Sequence, residues 1–558
     1  MNIAFIPIDN RPVCYTLVEQ ICAINSNIKL FMPEREFLGS LTKYANVDKI
    51  FNWLENLPEL DVIVMCLDTV AYGGLISSRR SPDSFENIKA RVEKLKSILE
   101  KKNAKIYAFS SIMRISNNNV NEEEKEYWNK WGKKIFDYSY QTHKLGTESC
   151  ITNIIPSEIL DDYLATRKRN FEINKLYLEY QKQGIFDTLV FSKDDCAEYG
   201  FNVQEAQTLE KLGGFVKTGA DEIPLTLLAR AVASLDVKTV TETASRGEKT
   251  QCPHQDNYTP KIKIAPIFLA PDYKDLISNY EDVSIEKSVK GQIELAGCKV
   301  CNPEDADILL YVNNFEEHQG EIVMKVPTKP FNGKWEKPQK PYMIADVRYA
   351  NGADNAFVKQ LFDVGFDENF LGYSAWNTSA NTLGSLICGG IVYLDAQMSR
   401  CIDAKSVTEI DARQNPSLLG RESSRSSETS YGYERGVGEK QNTNKPLSRI
   451  SNAHECSQRI ATSSLGEVNY QNNFPEIDHA STPPSICASN LKKLQAIRLL
   501  DDWAYQANVR QQLTLPDEKQ VKELMKPYEK KVFEVLGVQY DVSYKFPWNR
   551  LFEVEVCI

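Results

Sequence analysis

Histidine is scarce in this sequence, with five residues among 558. None of the five follows a segment that is clearly typical of a β-strand. Zinc hydrolysis and Ser-His-Asp catalysis both need a well-placed histidine, so both classes lose support. The one Cys-x-x-Cys pair, Cys298 and Cys301, has no second cysteine pair or histidine pair to complete a zinc site. We therefore expect no metal at these groups.

Long apolar runs and charge of one sign are lacking too. No stretch of about 18 apolar residues occurs, and the first residues do not have the pattern of a signal peptide. Acidic and basic residues are interspersed at a formal net charge of −10, so nothing indicates nucleic-acid or membrane binding. Thirteen cysteines, an odd number, favour reduced thiols over a disulfide framework. We expect a cytoplasmic protein that takes a small-molecule or carbohydrate substrate, with neither nucleic acid nor membrane as partner.

Glycine-rich nucleotide motifs are also absent. Residues 72–74 (YGG) do not form a P-loop, and no Gly-x-Gly-x-x-Gly follows the first predicted strand. The sequence therefore predicts no nucleotide and no other cofactor.

What the sequence does contain, over residues 1–400, is a repeated alternation of apolar strand-like runs with amphipathic helical patterns. Continuous apolar strands separated by helices predict a parallel sheet that is covered on both faces. We predict an α/β fold with a β/α-barrel-like core. Ten candidate strands exceed the eight of a barrel, so the alternative is two doubly wound α/β lobes, the second beginning near Lys261.

Composition divides the chain into five segments. Residues 1–238 and 261–402 form the two parts of the α/β core, and residues 239–260 form a polar loop between them. Residues 403–488 have hardly any apolar spacing, so we predict a disordered insertion. Residues 489–558 form a C-terminal helical appendage.

The most informative stretch is residues 188–200 (TLVFSKDDCAEYG), where an apolar strand leads into the adjacent carboxylates Asp194 and Asp195. An α/β enzyme presents its site at such strand ends. The alternative is structural, because aspartate also makes turns and caps helices. Two adjacent acids, together with polar residues after several other strands, favour the functional interpretation.

Further polar residues follow other predicted strands, and parallel strands end at the same edge of a sheet. Several carboxylates at one edge of a sheet repel each other, which raises the pKa of some of them and suits general acid/base catalysis. Arginines at the same edge offset the repulsion or bind an anionic group of the substrate. A single tryptophan such as Trp376 more often packs in the hydrophobic core than forms a surface on which a sugar ring stacks. The candidate substrate-binding residues are Asp9, Arg11, Asp68, Tyr72, Arg114, Asp221, Glu222, Asp346, Asn351, Trp376 and Asn377.

We predict a hydrolase of glycosidic bonds, with Asp195 as the general acid and Asp194 as the orienting or polarising carboxylate. The pair is similar to the adjacent acids of hexosaminidases that use the substrate's acetamido group as nucleophile. One alternative is a sugar- or peptidoglycan-binding protein without turnover. Another is a magnesium-dependent hydrolase or lyase that uses Asp346 and Asp354, which sequence alone does not distinguish from turn residues.

Five motifs together resemble a bacterial family of unknown function, DUF4127. They are residues 7–13 (PIDNRPV), 67–75 (LDTVAYGGL), 192–195 (SKDD), 219–222 (GADE) and 375–378 (AWNT). The resemblance covers most of residues 1–400 and the C-terminal helix that carries Asp502 and Trp503. It supports the choice of site residues more than any reaction, since the family implies no established activity. The segment 403–488 departs from the family pattern.

Overall fold

The computed structural model describes residues 1–194, 196–234, 261–414 and 485–558. Asp195, the predicted loop 239–260 and most of the predicted insertion 403–488 lie outside these residues. The chain divides into two compact units. The first unit, Met1–Arg400 with Pro484–Ile558, contains both main sheets. Of the second, Cys401–Pro483, the structure describes a helical backbone up to residue 414.

Six parallel strands form the first sheet. The strand β3, with the sequence VIVMC, is buried at every position, as expected for a sheet with helices on both faces. The order β2-β1-β3-β4-β5-β6 is that of a doubly wound sheet, in which the chain changes direction between β1 and β3. The strands are β1 Asn2–Ile6, β2 Lys29–Phe31, β3 Val62–Cys66, β4 Lys105–Ile112, β5 Thr188–Lys193 and β6 Phe215–Thr218.

The second half of the chain forms a second parallel sheet. Its order, β13-β11-β9-β7-β8, repeats the doubly wound pattern of the first five strands of the other sheet. Two short pairs, β10 with β12 and β14 with β15, lie apart from it. The strands are β7 Lys263–Phe268, β8 Lys299–Val300, β9 Ile308–Asn313, β10 Gly320–Glu321, β11 Tyr342–Asp346, β12 Tyr349–Ala350, β13 Phe370–Ser374, β14 Ser543–Lys545 and β15 Glu555–Cys557.

The α/β class with parallel sheets is therefore confirmed, but the barrel-like core is not. Within the described residues, the strands pair in two separate open sheets, which is the two-lobed alternative. The second sheet begins at Lys263, close to the predicted start at Lys261. The two sheets nevertheless share one hydrophobic core, which contains Phe5, Leu227, Leu310 and Met343.

Helices connect the strands and cover the sheets. The amphipathic α5 begins after Ser84, whose hydroxyl accepts from the backbone of Asn87, and α3 ends at Gly73 with φ 90°. No helix among the described residues is long and apolar enough to cross a membrane. The helices are α1 Thr16–Cys22, α2 Val47–Glu55, α3 Leu67–Tyr72, α4 Leu75–Arg80, α5 Phe85–Leu99, α6 Trp128–Leu145, α7 Ser157–Lys182, α8 Phe201–Lys211, α9 Ile223–Ser234, α10 Ile285–Leu295, α11 Asn355–Val364, α12 Ser379–Gln414, α13 Ile486–Arg498, a π-helix Leu499–Val509 and α14 Glu518–Leu536.

Candidate functional site

Charged side chains gather where the strands of the first sheet end. Asp9 and Arg11 follow β1, Arg114 follows β4, Asp194 directly follows β5 and Asp221 follows β6. All these strands run parallel, so their ends lie at one edge. The sequence predicted this gathering, and the contacts below join its members into two connected groups.

Arg11 is the centre of the first group and is almost completely buried. Its Nε donates to both carboxylate oxygens of Asp9 at 3.0 and 2.9 Å. Its two terminal nitrogens donate to Asp221 at 3.1 and 2.5 Å. Burial by itself opposes the charge, but Asp221 and Asp9 raise the pKa of Arg11 well above its ordinary value. The guanidinium therefore holds two strand ends together, and both carboxylates are engaged by it.

Asp194 belongs to the second group and is accessible, with 24% of its side chain exposed. Nη1 of Arg114 lies 3.7 Å from its carboxylate. Arg114 also contacts Glu123 at 2.7 Å and Glu124 at 3.3 Å. Arg79, on α4, donates from Nη1 to Glu124 at 2.9 Å. The predicted catalytic carboxylate thus stands in a cluster of alternating arginines and acids.

The C-terminal segment adds three residues that the sequence analysis did not single out. The ring of Trp548 contacts two guanidinium groups, with its centre 5.1 Å from that of Arg11 and 4.6 Å from that of Arg550. Its Nε1 donates to Asn10 at 2.7 Å, and its backbone has φ 55°, a conformation rare for a bulky residue. Arg550 also pairs with Glu123 of the second group at 2.8 Å, so Trp548 joins the two charged groups.

Glu553, five residues after Trp548, is buried beside Arg11 and has no hydrogen-bond partner for Oε1. Burial raises the pKa of Glu553 to about 8, against a smaller opposing effect of Arg11. A carboxyl group in this state carries a proton at neutral pH. The signal in the sequence was the segment 546–552 (FPWNRLF), which was assigned only to a helical appendage.

Comparison with known proteins identifies the family. A family model described as "Protein of unknown function (DUF4127)" matches residues 3–421 and 460–557, nearly the whole chain. The chain belongs to DUF4127. The predicted resemblance is thus confirmed. No curated protein and no solved structure matches the chain.

Three other predicted residues of the DUF4127 chain lie near the first sheet but are deeply buried. Asp68 is in the first turn of α3 and accepts from the backbone of Ser111 at 2.7 Å, and burial raises the pKa of Asp68 to about 7. The hydroxyl of Tyr72 is buried without a hydrogen-bond partner. Glu222 accepts from Gln292 at 3.1 Å. These side chains are held within the fold in this structure.

Of the predicted residues in the second half of the DUF4127 chain, Asp346 ends β11 of the second sheet, Asn351 follows β12 and Asn377 lies after β13. Asp346 accepts hydrogen bonds from Asn313, Tyr373 and the backbone of Asp354 at 2.8–2.9 Å. Burial and the neighbouring Asp354 raise its pKa. Asn351 and Asn377 both have positive φ, and the carbonyl of Asn377 accepts from the backbone of Asn351. The three residues are not part of the two charged groups around Arg11 and Arg114.

Trp376 lines a cleft of about 370 Å³, a volume that includes open solvent. The ring itself is buried and packs edge-on against Phe552, so Trp376 is a core residue in this structure. The backbone beside it is held by Asp502, which accepts from the amide of Ala375 at 2.7 Å. Arg498, Asp501 and Glu553 line the same cleft of the DUF4127 chain.

Asp354, the partner in the alternative magnesium site, caps α11 and accepts from the amides of Ala356 and Phe331 at 3.0 and 2.6 Å. Its oxygens, like those of Asp346, are thus engaged by donors of the protein. Among the residues that the structure describes, no group of three or more His, Cys, Asp or Glu is placed to hold a metal ion.

Proposed function

We propose that this DUF4127 chain is a hydrolase of glycosidic bonds that works by carboxylate acid/base catalysis at the edge of the first sheet. The observation that supports it is the position of Asp194. Its half-buried carboxylate directly follows β5, faces Arg114 at 3.7 Å and stands at the edge where the other strands of the sheet also end. Asp194 is accessible there, whereas Asp9 and Asp221 are sealed against Arg11.

The two adjacent acids take different roles in this proposal. A carboxylate beside a guanidinium is suited to polarise or orient a substrate rather than to give up a proton. Asp194 therefore has the orienting role, and Asp195 donates the proton to the leaving group. Asp9 and Asp221 act as positioning residues through Arg11, because both of their carboxylates are paired with it.

The non-catalytic alternative, a sugar- or peptidoglycan-binding protein, uses the same edge of the sheet and differs only in the lack of turnover. No observation favours the magnesium-dependent alternative, because Asp346 and Asp354 are occupied by hydrogen-bond donors of the fold.

Hydrolysis of a panel of nitrophenyl glycosides tests the proposal. The panel includes N-acetylhexosaminides and glucuronides, and the proteins are the wild type, Asp194→Asn, Asp195→Asn and Asp363→Asn. Asp363 is an exposed surface residue on α11 and is a matched control for the change of charge. We expect release by the wild type and by the control, and a loss of about a hundredfold or more in Asp195→Asn.

Full turnover in both Asp194→Asn and Asp195→Asn contradicts the proposed roles. A wild type that releases nothing but binds sugars favours the binding protein. Turnover that a chelator abolishes favours the metal-dependent enzyme.

We place the protein in the cytoplasm, a reducing compartment, which is consistent with free thiols at buried positions such as Cys14 and Cys66. Its partner is a small-molecule or carbohydrate substrate rather than nucleic acid or a membrane surface.

A further inference from the structure

Three arginines surround one carboxylate of the chain, that of Glu123. Nη2 of Arg114 lies 2.7 Å and Nη1 of Arg550 2.8 Å from its oxygens, and Nη2 of Arg79 lies 3.7 Å away. Burial opposes the charge of Glu123, but the three guanidinium groups lower its pKa well below the ordinary value. The pocket formed by Arg79, Arg114 and Arg550, here called the three-arginine pocket, thus stabilises a carboxylate ion.

Arg79 has one edge of its guanidinium without an acceptor. Its Nη1 donates to Glu124, but Nε and Nη2 are buried and have no hydrogen-bond partner. The 3.7 Å contact with Glu123 is too long to be a hydrogen bond. Buried donors without acceptors are costly and therefore uncommon. Burial and the neighbouring Arg114 also lower the pKa of Arg79, an effect that a bound anion would offset.

The geometry of this edge selects a class of ligand. Two N–H groups of a guanidinium that lie side by side match the two oxygens of a carboxylate or phosphate. We propose that the three-arginine pocket binds a carboxylate or phosphate group of the ligand, and that Glu123 occupies this position in the absence of ligand.

The loop that carries Glu123 is compatible with such an exchange. It follows β4 without regular secondary structure, and residues 117–120 are exposed. Displacing Glu123 by a ligand anion replaces one carboxylate with another anion, so the arginines remain compensated. The second partner of Arg79, Glu124, is buried and can stay in place.

The pocket adjoins the proposed catalytic residue, because Arg114 contacts both Glu123 and Asp194. This part of the inference rests on the proposed function. The glycoside that Asp194 and Asp195 act on then carries an acidic group close to the scissile bond, as in a uronic acid or a sugar phosphate.

Calorimetric titration with D-glucuronate, glucose 6-phosphate and neutral glucose tests the inference without any need for turnover. We expect at least one of the two anions to bind the wild type about tenfold or more tightly than glucose, with an affinity that falls as salt is added. Whichever anion binds more tightly distinguishes a carboxylate from a phosphate ligand.

Arg79→Lys keeps the charge but loses the paired donors, so we expect the anion to bind at least about tenfold more weakly. Arg91→Lys is the matched control, because Arg91 is a partly buried arginine on α5 that pairs with Asp83 and is not part of the three-arginine pocket. If Arg79→Lys does not fold, Glu123→Gln gives a second test. Removing the competing charge should tighten anion binding several-fold.

Equal binding of glucose and both anions, equal affinity of wild type and Arg79→Lys, or no gain in Glu123→Gln overturns the inference. Failure of the proposed function has a different signature. Anion binding without turnover of any glycoside refutes the hydrolase and leaves the pocket in place, whereas hydrolysis of neutral glycosides with no preference for anions refutes only the pocket.

Discussion

Arg11 and Asp221 are 210 residues apart in the chain, yet the two terminal nitrogens of the guanidinium donate to the two carboxylate oxygens at 3.1 and 2.5 Å. The same guanidinium binds Asp9, and all three side chains are almost completely buried. Buried charges are tolerated only when they are paired. The arrangement joins the turn after β1 to the turn after β6.

Replacing Arg11 with methionine should strongly destabilise the protein, because it leaves Asp9 and Asp221 buried without a counter-charge. We expect the free energy of unfolding to fall by about 3–5 kcal/mol, as measured by urea denaturation at pH 7. The control is Lys359→Met, which removes a surface ion pair with Asp363 and should cost about 0.5 kcal/mol or less. A similar cost for both variants would refute the structural role of Arg11.

Glu553→Gln should change how stability depends on pH. The pKa of Glu553 is about 8 in the folded protein against an ordinary value of 4.5, so between these values the folded state holds the extra proton. The contribution of Glu553 to stability therefore falls as pH rises from about 4.5 to about 8, by up to about 1.4 kcal/mol per pH unit. Glutamine does not titrate.

The measurement is urea denaturation of wild type and Glu553→Gln at several pH values from 5 to 8. The variant should become more stable relative to the wild type as pH rises. The contributions of other buried acids cancel in this difference, because both proteins contain them. Glu336→Gln, a change at an exposed position, should show no such trend. A constant difference between variant and wild type across this range would contradict the raised pKa.

Two glycines of α12 should respond in opposite ways to alanine. A Cβ at Gly384 would lie 2.6 Å from Oγ1 of Thr226 and 2.8 Å from Cβ of Glu222, both on α9 or at its start. Such overpacking should cost about 1–3 kcal/mol. At Gly389 the nearest atom, Cδ2 of Leu494, is 3.4 Å away, so Gly389→Ala should be neutral or stabilise by up to about 1 kcal/mol. Thermal denaturation of the two variants compares them directly, and equal midpoints would disprove the close contact.

Trp548 should contribute in two separable ways. Trp548→Phe keeps a ring in contact with Arg11 and Arg550 but leaves Oδ1 of Asn10 without its donor, which should cost about 1 kcal/mol. Trp548→Ala also removes the contacts of the ring with the two guanidinium groups, so its cost should be larger by about 1 kcal/mol or more. Urea denaturation at low and high salt measures the free energy of unfolding of both variants. If the alanine variant is as stable as the phenylalanine variant, the contacts of the ring with the guanidinium groups contribute nothing.

The strand positions could be predicted because their signal is local. A short, β-branched apolar run such as residues 62–66 favours a strand in a sheet that is covered on both faces, and Asp194 directly follows the run 188–193. For the same reason the sequence pointed to Arg114 and Asp221. Arg79 was not among the predicted site residues, because nothing local in the sequence shows that two of its donors are buried without acceptors.

The contribution of the C-terminal segment could not be predicted. Trp548, Arg550 and Glu553 come more than 300 residues after Asp221, and aromatic and charged residues of this kind also occur at the surface of any appendage. The position of these residues at the two charged groups depends on how α13, the π-helix and α14 pack, which no sequence periodicity encodes.

The sequence by itself determined which segments become strands and helices, because the spacing of apolar residues within each segment is a local signal. It therefore also determined which polar residues lie at the ends of strands. Only the tertiary structure decided that the strands divide into two open sheets, that Arg11 pairs with Asp221 and that Trp548 packs against Arg11. Strand pairing and the pairing of buried charges join residues far apart in the chain, and the partner of each is selected by the packing of the whole fold.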